Sequence, residues 1–94
     1  MSNEPDKIDD IATIFSCVRR IISEEMGVES ENVQPGTNII TELGAGQSDM
    51  ESIMTATEHK FQIKISNENW GKVRMVCDIV HLVDVYLEIK QIEM

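Results

Sequence analysis

The stretch from Leu43 to Phe61, LGAGQSDMESIMTATEHKF, decides the fold. Gly44, Ala45 and Gly46 are small enough for a tight backbone turn, and Ser48 followed three residues later by Glu51 has the spacing of a capping box. A helix is therefore expected to start at about Ser48. Met50, Ile53, Met54, Thr57 and Phe61 then recur at three- and four-residue steps, which gives one inward stripe with polar residues behind it. Any chemistry in this chain is expected at that helix start.

Upstream, Ile8, Ile11, Ile14, Phe15, Val18, Ile21, Ile22 and Met26 follow helical steps and end at Gly27, the natural residue for a left-handed cap. Asp9, Asp10, Arg19, Arg20, Glu24 and Glu25 form the solvated outer face of that helix, and residues 1–7 read as a frayed entry. Val28 to Glu42 is a connecting loop punctuated by Pro35 and Gly36, with Val28, Val33, Ile39, Ile40 and Leu43 as its own apolar contacts. Downstream, Ile63 and Ile65 alternate over too short a run for a strand and read as an extended connector. Ser66 or Asn67 can cap a short helical turn in SNENWG, where Trp70 covers one end of the core. Val73 to Ile89 resumes helical spacing through Val76, Ile79, Val80, Val83 and Leu87, and residues 90–94 fray. Four helices, a long first loop and no strong strand give one small all-α bundle spanning residues 1–94.

At 94 residues and 41% apolar content the chain closes one modest core and has no room for a second domain. A net charge of -9 repels nucleic acid phosphates and anionic membrane surfaces and suits a partner with a basic patch. It also serves simply to keep a small protein soluble and monomeric, and charge alone leaves both readings open. Cys17 and Cys77 stand in no CxxC or Cys/His spacing and read as small core or boundary residues. Residues 2–10 are polar and acidic, unlike a signal peptide, and no apolar run reaches membrane-spanning length, so a cytoplasmic location with reduced thiols is expected.

From about Ala12 to Leu87 the chain resembles the acyl carrier proteins, with no gap needed. VRRIISEEMGV is similar to that family's first helix and its exit, ENVQPGTNIITELGA to its long loop, and FQIKISNENWGKVRMVCDIVHLVDVYL to its closing segment. The resemblance implies a four-helix bundle of the acyl carrier type with a short third helix. It also implies a non-enzymatic carrier holding acyl or related groups as thioesters on a 4'-phosphopantetheine arm, in fatty acid, polyketide or other specialised lipid metabolism. The partners implied are a phosphopantetheinyl transferase and acyl-transferring or synthase enzymes that present basic patches to acidic residues on the second helix, here Asp49, Glu51 and Glu58.

In the family the arm sits on the serine of an Asp-Ser-Leu motif, and in the ungapped register that motif falls on Gly46, Gln47 and Ser48. Gln47 has no hydroxyl to accept the arm, so the candidate attachment residue is Ser48, one place out of register. Two readings of Ser48 stand side by side. In one, the chain slips by a residue at the glycine turn and Ser48 presents its hydroxyl to a transferase. In the other, Ser48 caps the helix by bonding the Glu51 backbone N–H. The alternative function is then an unmodified carrier-like domain that binds other proteins. Asp49, Glu51 and Glu58 also read simply as a solvated helix face.

No enzyme site is assembled by the sequence. Ser48 and His59 stand about 16 Å apart along a helix axis, too far for direct contact, and His59 and His81 have no second ligand at metal spacing. No metal site is expected. Met26, Met50, Met54 and Met75 read as fillers of irregular core gaps.

Overall fold

The computed structural model describes residues 10–92. The chain forms α1 (Ile11–Met26), a 3-10 turn (Ser30–Asn32), α2 (Gln47–Phe61), α3 (Asn67–Trp70) and α4 (Val76–Ile92). Helix α1 packs against both α2 and α4, so the architecture is an all-α bundle of three long helices and one short one. The described residues contain no strand, only an isolated antiparallel bridge between Asn38 and Met75.

Ile14, Val18 and Ile22 of α1 lie four residues apart and are fully buried, the spacing that keeps one face of a helix turned to its neighbours. Burying each such side chain contributes roughly 1.5–3 kcal/mol. Gly27 ends the helix in the left-handed conformation, φ 67°, and donates its N–H to the Ser23 carbonyl, as its position predicted. Ile11 departs from the expected stripe: among the described residues it is 51% exposed. Ile8, Asp9 and the frayed entry lie outside the described residues. Arg19 is not a simply solvated residue either. Its guanidinium lies 4.8 Å from the centroid of the Phe15 ring, and its Nε donates to the Val33 carbonyl at 3.0 Å, tying α1 to the loop.

The long loop is part of the core. Val33 and Ile39 are fully buried, and Thr37, also buried, accepts the Gln34 N–H at its hydroxyl. Asn38 Oδ1 accepts the N–H groups of Ile40 and Thr41, which turns the chain toward Gly44, itself at φ 76°.

Helix α4 begins three residues later than the spacing of Val73 suggested, and the reason lies in the loop. The Ile39 N–H donates to the Arg74 carbonyl at 2.8 Å, while the N–H groups of Val76 and Cys77 donate to the Thr37 and Pro35 carbonyls. These bonds hold residues 73–75 in an extended path. Asp78 Oδ2 then accepts the N–H groups of Arg74 and Met75, which favours a helix start just after them. Val73 is still buried, so its apolar character was read correctly and its conformation was not. At the far end α4 continues through Ile92, beyond the expected fraying at residue 90, and Lys90 Nζ donates to the Gln62 carbonyl at 2.9 Å.

Ile63 and Ile65 form the buried connector expected. Ser66 caps α3 through its hydroxyl, which accepts the Asn69 N–H at 3.1 Å. The Tyr86 hydroxyl accepts from the Ser66 N–H and from Asn69 Nδ2, fastening α3 to α4. Those two hydrogen bonds, the Ser66 backbone first, hold the phenol below its ordinary pKa by favouring the phenolate. Cys17 is half-buried as expected, whereas Cys77 is exposed on the outer side of the first turn of α4.

Candidate functional site at the start of α2

Helix α2 carries the predicted stripe, with Ile53, Thr57 and Phe61 buried and Met50 and Met54 half-buried. The buried Thr57 hydroxyl is satisfied by the Ile53 carbonyl at 2.7 Å. The cap differs from the expected one. Gly46 is the N-cap and Gln47 the first helical residue, so Ser48 stands inside the first turn. A glycine has no side chain to accept a helix N–H, and the bond that closes this end runs the other way, from the Gly46 N–H to Asp49 Oδ2 at 3.0 Å. The Ser48–Glu51 capping box is thus replaced by half of such a box, the single bond between Gly46 and Asp49. The physical reason is that Asp49, at the third helical position, reaches back to the N-cap, where Glu51 is two residues too far along.

This leaves Ser48 exposed with its hydroxyl outside the capping bond. The N–H groups of Gln47, Ser48 and Asp49 precede the first intrahelical bond, which runs from the Met50 N–H to the Gly46 carbonyl. The positive end of the helix dipole points the same way. The site therefore combines an accessible hydroxyl with unpaired N–H donors. Asp49 and Glu51 add negative charge beside them.

The three acidic candidates have different surroundings. Asp49 is half-buried and engaged with Gly46. Glu58 is also half-buried, and its Oε2 accepts the Ile65 N–H at 2.8 Å, which anchors the connector. Glu51 is exposed beside Ser48. Ser48 and Glu51 line an open groove of about 620 Å³ together with Ser52, Thr55, Ala56 and His59 of α2 and Glu25 of α1. Ser52, Thr55 and Ala56 were not singled out as site residues by the sequence. Their signal is the periodicity of Ser48, Ser52, Thr55 and His59, which repeats at four, three and four residues on the side of α2 away from its apolar stripe.

Among the described residues no helix is long and apolar enough to cross a membrane, and no group of three or more His, Cys, Asp or Glu side chains is arranged to hold a metal ion. No family model matches the chain.

Proposed function

We propose that the chain is a divergent, non-enzymatic carrier of the acyl carrier type, with Ser48 as the attachment residue for a 4'-phosphopantetheine arm. The observation that carries this reading is the release of the Ser48 hydroxyl from the capping bond, which Asp49 makes instead. The donor chemistry fits the arm: an exposed hydroxyl to esterify and the N–H groups of the first turn of α2 to receive phosphate oxygens. In the attachment step the Ser48 Oγ attacks phosphorus in the pyrophosphate of coenzyme A. A new P–O bond forms at Oγ, the pyrophosphate bond breaks, adenosine 3',5'-bisphosphate leaves, and the hydroxyl proton passes to a base of the transferase. Once bound, the arm supplies a terminal thiol for thioester formation. Partners of this carrier would bring basic patches to Glu51 and to the acidic surface around it.

A second reading has its own support. Helix α2 starts at Gln47, so Ser48 stands about 100° round the helix axis from Gln47, the position on which the ungapped register puts the attachment residue. A transferase that requires the position of Gln47 would pass this chain by, leaving an unmodified module that binds proteins.

The intact mass of the protein, before and after incubation with coenzyme A and a broad-specificity phosphopantetheinyl transferase, separates the two. A phosphopantetheine addition mapped to Ser48 and absent in Ser48→Ala is the expected outcome. No addition, with a control carrier labelled in parallel, would overturn the carrier reading in favour of the binding module.

A further inference from the structure

We propose that the outer side of α1 holds a binding site for a small phosphate monoester, anchored on Arg19 and independent of anything carried by Ser48. Arg19, Arg20 and Lys60 line one concavity of about 680 Å³, which lies within the size range of small-molecule sites. Three cations in one place run against the trend of a chain whose net charge is -9. The same lining contains a single carboxylate, Glu24, whereas the groove beside Ser48 contains two carboxylates and no lysine or arginine.

Arg19 is the reason for placing the anion here. Its Nε donates to the Val33 carbonyl at 3.0 Å and its guanidinium lies over the Phe15 ring, so the plane of the fork is held before any ligand arrives. Its two terminal amino groups have no acceptor among the described residues, and that edge of a guanidinium binds two oxygens of one phosphate. A fork already held loses less freedom on binding than a free one. The Ser16 and Ser30 hydroxyls line the concavity too and can donate to further oxygens. Arg20 is exposed, and its contact with Glu24 at 4.0 Å is of the weak surface kind, so it can turn to a stronger anion. Lys60, from the last turn of α2, supplies the third positive charge. With Glu24 set against them, the three cations leave an excess of two positive charges, which matches a phosphate monoester above its second pKa of about 6.

The test follows the backbone amides and the Arg19 Nε–H of the whole chain by NMR while methyl phosphate is added at about pH 7.5, where it is dianionic. Saturable shifts at Ser16, Arg19, Arg20, Ser30 and Lys60 are expected, with several-fold weaker binding of methyl sulfate, its singly charged counterpart. Arg20→Gln and Lys60→Gln, both at exposed positions, should each weaken binding several-fold, and Glu24→Gln should tighten it. Lys72→Gln, outside the concavity, should leave it unchanged. Shifts that never saturate, equal binding of methyl sulfate, or an equal effect of Lys72→Gln would overturn the inference by reducing it to diffuse charge attraction. Shifts centred on Gln47, Ser48 and Asp49 would overturn it as well, by placing the anion at the start of α2.

Discussion

At the start of α2 the choice between two neighbouring side chains sets what each is free to do. Asp49 holds the Gly46 N–H, so Asp49→Ala should destabilise the fold by about 1 kcal/mol, read as a lower urea midpoint at unchanged slope. Ser48→Ala should leave the midpoint within about 0.5 kcal/mol of the parent, because the residue is exposed and makes no capping bond. A larger loss for Ser48→Ala than for Asp49→Ala would reverse the assignment. The sequence made the helix start legible to within one residue but paired Ser48 with Glu51 at the cap, where the structure pairs Gly46 with Asp49. Serine is the commoner cap, and only the backbone path shows that a glycine precedes the helix and an aspartate reaches back to it. The end of α2 at Phe61 was legible from its apolar stripe, but the cap that follows was not. Gln62 adopts φ 56°, the conformation that glycine usually marks, and its side chain donates to the His59 carbonyl without leaving a sequence signature.

Among the elements, the long loop and α3 depend on tertiary bonds. Ile39 is fully buried in a segment without regular structure, so Ile39→Ala should cost about 2–5 kcal/mol in urea unfolding, the loss of a core residue. A cost under about 0.5 kcal/mol would show the loop to be dispensable. The sequence identified its apolar residues but not what they would touch, because the bonds from Ile39, Val76 and Cys77 join segments distant in the chain. The same bonds moved the start of α4, where Val73 keeps its burial and loses its helical conformation.

Tyr86 joins α3 to α4 and should add a pH dependence. Its folded pKa lies below the ordinary value of about 10, so between the two values the unfolded chain binds more protons and stability rises with pH. The contribution is complete above about 10 and is lost as pH falls through the folded value. Urea unfolding across that alkaline window should show the rise in the parent and not in Tyr86→Phe. Identical pH profiles for the two proteins would refute this role.

At the scale of the whole molecule, a net charge of -9 on so small a chain opposes compaction through self-repulsion. Raising salt from about 0.01 M to about 0.15 M shortens the screening length from roughly 30 Å to roughly 8 Å, and the urea midpoint should rise with it. A midpoint that fell would mean that favourable ion pairs outweigh the repulsion. The described residues hold one exposed pair, Arg20 with Glu24 at 4.0 Å, of a kind that contributes little. The all-α class was legible from apolar periodicity because three long helices dominate the chain.

The bridge between Asn38 and Met75 has a consequence for the order in which the molecule can assemble. It closes a ring containing α2 and α3, and the carbonyls that receive the Val76 and Cys77 N–H groups belong to the loop that leads into Gly44 and Gly46. These contacts can form only once residues 74–77 are in place. The path of the loop that leads into Gly44 therefore depends on a late part of the chain, whereas the bond from Gly46 to Asp49 at the start of α2 is local.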